Sequence, residues 1–173
     1  MMKKPGLTAL VIFAISLFCG STLAQTSEQK QDARYWKLSE KYCNARFELC
    51  VRYPASLVKR EAPANGDGQN FDNGNGLYLT VSGINNATNN TLKAEMSSAR
   101  GQFDKITYRA QGQNWFVLSG MKNDEIIYLK TFIGRGSVNH LEIKYGTNFK
   151  KFYRTVAGNM AQSFKPGQLG VAH

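Results

Sequence analysis

The sequence predicts an α+β protein, an α/β/α sandwich whose central antiparallel sheet has about six strands. Residues 115–146 carry the strongest signal, because turn signals at 122–124 and 134–137 separate three runs rich in β-branched and aromatic residues. Loops this short predict an antiparallel meander, since parallel strands need a crossover of about a dozen residues. Apolar residues also recur at helical spacing near the start, in the middle and at the end of the chain, which predicts an N-terminal helix, a middle helix and a long C-terminal helix.

Residues 1–24 are typical of a signal peptide and are not expected to belong to the fold. Two lysines precede the uncharged, mostly apolar residues 7–18. Small residues, Thr22 and Ala24, occupy the −3 and −1 positions before Gln25. The apolar run is shorter than the roughly 20 residues that span a bilayer, so an uncleaved anchor is the less favoured alternative. We expect cleavage before Gln25, export to the periplasm or the medium, no membrane-spanning segment, and a single domain at residues 25–173.

Cys43 and Cys50 are the two cysteines that remain once the leader is removed. In an oxidising compartment such a pair predicts one disulfide, with reduced thiols and a metal site as alternatives. A zinc site would need further ligands, and the two histidines are His140 and the last residue, His173. We therefore expect the disulfide.

The charge of the chain restricts the class of partner. Loss of the two leader lysines lowers the net charge from +10 to +8, which favours an anionic partner such as a membrane face, a cell-wall polymer or an acidic protein. The basic residues lie scattered in short groups, as at 59–60 and 150–151, and form no nucleic-acid-binding motif, so a nucleic acid is not expected. A solvated surface without a partner is the alternative explanation of this charge.

The first elements of the mature chain are a helix and a strand. Apolar spacing predicts the helix at residues 33–42. Residues 47–53 alternate, with the odd-numbered apolar side chains on one face, and Pro54 ends this strand because proline cannot continue a central ladder. A bridge from Cys43 to Cys50 would tie the end of the helix to the other face of the strand.

The middle of the chain alternates turns with regular elements. Residues 62–76 are rich in Asn-Gly and Asp-Gly turn signals, with a short extended piece at 69–71. A strand is predicted at 77–82, and leucine, methionine and alanine at helical spacing predict the middle helix at 92–99. Residues 106–111 alternate again and predict the strand that precedes the meander.

The last element is a long helix that ends near Phe164, before Pro166. Its apolar stripe consists of Phe149, Phe152, Tyr153, Val156 and Met160. Burial of each of the three aromatic side chains contributes roughly 1.5–3 kcal/mol, so packing on the sheet explains the stripe best. A helix that lies on a membrane surface is the alternative.

This order of elements resembles a known family. The features that carry the resemblance are the opening strand, the strand after a glycine-rich turn, the meander and the closing helix, at residues 47–54, 77–82, 115–146 and 149–164. The chain resembles the α/β/α sandwich of the PsbP family, named for an extrinsic subunit of photosystem II. It is also similar to uncharacterised exported bacterial proteins that share segments like 65–71 and 116–120. The resemblance implies a non-enzymatic accessory role and carries over no functional residue.

The sequence contains no convincing catalytic constellation. Apart from the last residue, His173, His140 is the only histidine inside the domain, and alternation places it on a polar strand face beside Glu142, which is typical of a surface residue. The acidic and amide side chains around Asp67 and Asp72 could supply calcium ligands, but the EF-hand pattern fails and the same residues suit turns. We expect no cofactor and no catalysis, with a calcium site on Asp67 and Asp72 as the alternative to turns.

Export, small size and one disulfide favour a non-enzymatic binding or assembly-accessory module that contacts an unknown protein or an anionic envelope component. The alternative is a periplasmic immunity protein or an inhibitor of a toxin or hydrolase. Both hypotheses predict action through the protein surface.

Overall fold

The computed structural model describes residues 35–173. The expected signal peptide and its cleavage site lie outside the described residues and stay predictions. Within residues 35–173, nine strands, two α-helices and two short 3-10 helices (Arg100–Gln102 and Thr147–Phe149) occur. The strands are β1 Glu40–Cys43, β2 Cys50–Tyr53, β3 Val58–Lys59, β4 Gly68–Asp72, β5 Leu77–Asn85, β6 Lys105–Gln111, β7 Trp115–Lys122, β8 Glu125–Ile133 and β9 Ser137–Gly146. The helices are α1 Leu92–Ala99 and α2 Lys150–Ser163.

Seven strands form one sheet in the order β3-β4-β5-β9-β8-β7-β6, and each pair is antiparallel. The predicted meander is confirmed as β7–β8–β9, whose neighbouring strands pair antiparallel. The two connecting loops are too short for a parallel crossover. The strands predicted at 77–82 and 106–111 are β5 and β6, and the extended piece at 69–71 lies within β4. The two-residue edge strand β3 was not predicted.

The strand predicted at residues 47–53 does not join this sheet. Only Cys50–Tyr53 is extended, and it pairs with β1 in a separate two-stranded sheet, the β1–β2 hairpin. Glu48 has a φ of 57°, which interrupts the extended chain before β2. The predicted burial is confirmed, since Phe47, Leu49, Val51 and Tyr53 are all in the core.

The N-terminal helix predicted at residues 33–42 was wrong at residues 36–42, which lie in a turn, an irregular segment and β1. Glu40–Cys43 forms β1, with Glu40 opposite Tyr53 and Cys43 opposite Cys50. Pairing with β2 supplies the backbone hydrogen bonds that a helix would otherwise make, so tertiary context overrides the helical spacing of the apolar residues. Among residues 35–173, one helix and a hairpin lie on one face of the sheet and one helix lies on the other.

The Cys43–Cys50 disulfide is confirmed. The two cysteines are direct cross-strand partners, with a Cα–Cα distance of 4.2 Å. The bond closes the β1–β2 hairpin. We had expected it to tie a helix to the sheet, and this expectation was wrong.

The two faces of the sheet carry separate cores. On the front face, the hairpin and α2 cover the fully buried Leu79, Val81, Leu141 and Ile143 of β5 and β9. On the back face, α1 places Ala99 among Phe116, Leu118 and Leu129. Successive side chains along a strand point to opposite faces of the sheet, so one strand can contribute residues to both cores. Neither helix among residues 35–173 is long and apolar enough to cross a bilayer.

The predicted stripe of α2 is only partly buried. Tyr153, Val156 and Met160 pack on the sheet, but Phe152 is 64% exposed and Phe149 is 36% exposed. Ala157 and Ala161 are buried instead of the two phenylalanines. The helix is therefore rotated toward its small residues, which let it approach the sheet closely, and the assignment of Phe149 and Phe152 to the core was wrong.

Candidate functional site

Helix α2 leaves part of the front face uncovered. Beyond α2, on the side of β6 and β7, a cavity of about 480 Å³ opens between the helix and the sheet. A second cavity of about 260 Å³ continues along the same face and shares Tyr108 and Tyr128 with the first. We call the joined cavity the groove. Its main side chains are Tyr108, Trp115, Tyr128, Lys130, Lys150 and Arg154. The larger cavity alone falls in the range of about 300–1,000 Å³ that is usual for ligand sites.

The floor of the groove follows from strand register. Ser119 of β7 pairs with Tyr108 on one side and with Tyr128 on the other, so the three side chains form a row across the sheet. A small residue between two tyrosines leaves a depression between their rings. Tyr108 is 54% exposed and Tyr128 is half-buried, so aromatic surface is available to a ligand.

The rim of the groove is cationic. Lys150 and Arg154 stand on the edge of α2 above the larger cavity, and Lys130 lies in the smaller one. The Lys130 ammonium donates to the Ala161 carbonyl at 3.0 Å and lies 5.2 Å from the centre of the Phe132 ring. Burial lowers the pKa of Lys130 because the charged form loses water. No acidic side chain lines either cavity among the described residues.

The tyrosines of the groove are suited to binding. Burial raises the pKa of Tyr128, and the nearby Tyr108 phenol adds to the effect. Burial also raises the pKa of Tyr145 at the base of the groove, while the Arg154 guanidinium acts in the opposite direction. Both phenols therefore stay neutral near pH 7, where they can donate and accept hydrogen bonds.

His140 lies away from the groove, on the back face. Its Nδ1 atom is 3.0 Å from the Thr131 hydroxyl oxygen, and its Nε2 atom is 3.9 Å from a Glu95 carboxylate oxygen. The predicted strand face is confirmed, but the side chain is only 22% exposed because α1 lies over it, so the expectation of a surface histidine was wrong. A hydroxyl, an imidazole and a carboxylate in a row suggest a nucleophile and its base. However, Thr131 is fully buried, and a substrate cannot reach its oxygen.

Burial lowers the pKa of His140, while Glu95 and Glu142 act in the opposite direction. The imidazole is thus held neutral at physiological pH. With a buried hydroxyl as its partner, His140 acts as a structural group beneath α1.

The structure does not bring Asp67 and Asp72 together. Asp67 directly precedes the five-residue strand β4 and Asp72 is its last residue, so their Cα atoms are roughly 16 Å apart at the usual rise per strand residue. Asp72 accepts hydrogen bonds from Arg60, which lower the pKa of its carboxyl, and Asp67 accepts one from Asn65 at 2.7 Å. Each carboxylate serves a local turn or ion pair, and the two cannot ligate one ion.

Sequence reasoning missed the groove. The alternation that was used to place apolar residues in the core also puts Trp115 and Ser119 on one face of β7, and Tyr128 and Lys130 on the matching face of β8. That mixture of aromatic, small and cationic side chains on a sheet face was the available signal. Whether such a face forms a groove depends on how much of the sheet α2 covers. The local sequence pattern does not contain that information.

The fold has similar solved structures. It is similar to the solution structure of cyanobacterial PsbP (CyanoP) from Synechocystis sp. PCC 6803, with a TM-score of 0.53 and 11% sequence identity. The match covers 73% of this chain and 91% of that chain. The chain has a PsbP-like fold. The resemblance inferred from the sequence is thereby confirmed at the level of the fold.

The PsbP-like fold also occurs within a longer protein. A crystal structure from Bacteroides thetaiotaomicron VPI-5482 matches with a TM-score of 0.51 and 11% identity over 76% of this chain, which spans about half (49%) of that protein. No protein-family model matches the sequence, and no curated protein matches it. At this identity the comparisons show the fold alone, and a PsbP-like fold is compatible with a non-enzymatic accessory module.

Proposed function

We propose that this PsbP-like protein is an exported, non-enzymatic binding module that holds an anionic protein or envelope component in the groove. The observation that carries the proposal is the composition of the groove, with an aromatic floor, a cationic rim and no acidic side chain among its described lining residues. The buried hydroxyl beside His140 supports the non-enzymatic part, since it leaves no accessible nucleophile there. The disulfide is compatible with an oxidising compartment.

The two kinds of side chain contribute differently to binding. Tyr108 and Tyr128 offer apolar ring surface with a polar tip, which suits contact with a partly polar ligand. Lys150 and Arg154 supply long-range attraction to an anion and charge-assisted hydrogen bonds at contact. Such an attraction weakens as salt rises, since the screening length is about 8 Å at physiological ionic strength.

Affinity capture from the native envelope tests the proposal. The bait is the exported protein, compared with an Arg154→Glu variant that reverses a charge on the groove. The matched control is Arg109→Glu, because Arg109 neighbours Tyr108 in β6 but points to the opposite face of the sheet. A second pair compares Tyr108→Ala with Tyr78→Ala, an exposed tyrosine on the back face of β5.

We expect the groove variants to lose the captured partner and the two controls to keep it, with capture falling as salt rises. Equal capture by all five proteins would refute the groove as the binding site. The identity of the partner separates an accessory module from the alternative of an immunity protein or inhibitor. A toxin or hydrolase whose activity falls on binding would assign the second role.

A further inference from the structure

A second surface lies on the side of α2 that faces away from the groove. Phe149 and Phe152, which the sequence had placed in the core, are exposed there, and Tyr35 is 44% exposed beside them. With Trp36 these side chains surround an open cavity of about 510 Å³. We call Tyr35, Trp36, Phe149 and Phe152 the aromatic patch. Phenylalanine has no polar atom, so its exposure to water in a described part of the chain calls for a reason.

The aromatic patch is held in place by the core. Trp36 packs edge-on against Tyr35 and against Tyr153, with ring centres 4.6 and 5.3 Å apart, and Phe149 lies 5.5 Å from Tyr153. The buried Tyr153 hydroxyl donates to the Asn75 carbonyl at 2.9 Å. The patch is therefore preorganised and loses little side-chain freedom when it contacts a partner.

The charges that α2 itself carries near the aromatic patch are positive. Lys151 is exposed and precedes Phe152 on the solvent side of the helix, whereas Lys150 faces the groove. Residues 150–163 hold two lysines and an arginine but no acidic residue. Exposed aromatic and lysine side chains on one helix are the combination that binds an anionic membrane surface, where the rings enter the interface and the ammonium groups contact phosphates.

We propose that the aromatic patch docks the protein on an anionic phospholipid bilayer, with Phe149 and Phe152 inserted between headgroups and Lys151 against lipid phosphates. Tyrosine and tryptophan, which complete the patch, favour the same interfacial depth. Arg154 lies about 200° around the helix from Phe152, at about 100° per residue, so docking leaves the groove open on the other side of α2. The patch thus sets the position of the groove relative to the membrane.

Vesicle sedimentation tests this assignment with a chain that begins at Gln25 and retains every described residue. The probes are vesicles of phosphatidylcholine alone and of phosphatidylcholine and phosphatidylglycerol in equal amounts. Phe152→Ser removes the most exposed ring, and Tyr78→Ser removes a comparably exposed ring from the back face. Lys151→Glu reverses a charge beside the patch, and Lys93→Glu makes the same reversal on α1. All four changes are at exposed positions, and circular dichroism verifies that each variant is folded.

We expect binding to the anionic vesicles, weak binding to phosphatidylcholine, and a partition coefficient that falls about tenfold in Phe152→Ser and in Lys151→Glu. The Tyr78 and Lys93 controls should bind as the parent does. No sedimentation with anionic vesicles, or unchanged binding by Phe152→Ser, would overturn the assignment. The assignment would also be overturned if the parent protein does not bind vesicles and Phe152→Ser loses a protein or polymer that the parent captures. The patch would then be a contact for that partner. Comparison of Arg154→Glu with Arg109→Glu in the capture assay shows separately whether the groove binds the partner.

Discussion

The ring of Phe47 lies so close to Gly83 that a β-carbon at position 83 would stand 2.3 Å from the Phe47 Cγ atom. Phe47 precedes β2, and Gly83 lies within β5. The contact therefore docks the β1–β2 hairpin on the front face of the sheet, and it requires a residue without a side chain at this position of β5.

Gly83→Ala should destabilise the protein by about 1–3 kcal/mol, because the new methyl group cannot fit without displacing a fully packed ring. Urea denaturation followed by circular dichroism measures the change. Gly158→Ala is the matched control: its β-carbon would meet no atom within 4 Å, and alanine favours the helix, so stability should stay the same or rise. Equal effects of the two substitutions would contradict the close contact.

Replacement of Cys43 and Cys50 by serine should lower the free energy of unfolding by about 2.5 kcal/mol, since the bond removes chain entropy from the unfolded state. The denaturation midpoint of the double variant measures this loss. Reduced parent protein should match the variant. A midpoint equal to that of the oxidised parent would show that the hairpin does not depend on the bond.

Acid should destabilise the fold through His140. Burial lowers its pKa in the folded state, so the unfolded chain binds the proton more readily. The stabilising contribution of the neutral imidazole is present above its unfolded pKa of about 6.5 and is lost as pH falls through the lower folded pKa. Denaturation midpoints measured between neutral and mildly acidic pH should fall less in His140→Asn than in the parent.

Glu95 gives a second test of the same site. Its carboxylate opposes the lowering of the pKa of His140, so Glu95→Gln should lower that pKa further and enlarge the loss of stability in acid. A chemical-shift titration of His140 measures the pKa directly. A rise in the pKa after removal of Glu95 would contradict the geometry beneath α1.

Arg154→Gln should raise the pKa of Tyr145, because the guanidinium stabilises the phenolate at the base of the groove. Carbon chemical shifts of labelled tyrosine measure the titration, and Tyr145→Phe assigns the signal. An unchanged pKa would place the Arg154 charge away from the groove.

Local patterns in the sequence determined the strands β5 to β9, the middle and final helices, and the pairing of Cys43 with Cys50. Alternation and short turns act between near neighbours in the chain, so they can be interpreted without a structure. The same alternation placed the odd-numbered apolar residues of 47–53 on one face, and all four are buried in the core. The signal peptide at residues 1–24 remains a prediction from sequence.

Tertiary structure decided what depends on contacts between distant segments. Pairing with β2 made Glu40–Cys43 a strand despite its helical spacing, and close packing of Ala157 and Ala161 turned Phe152 outward. The groove and the aromatic patch both follow from the position of α2 on the sheet. Side-chain spacing defines which residues share a face of an element, but only packing against the rest of the chain decides how much of that face is covered.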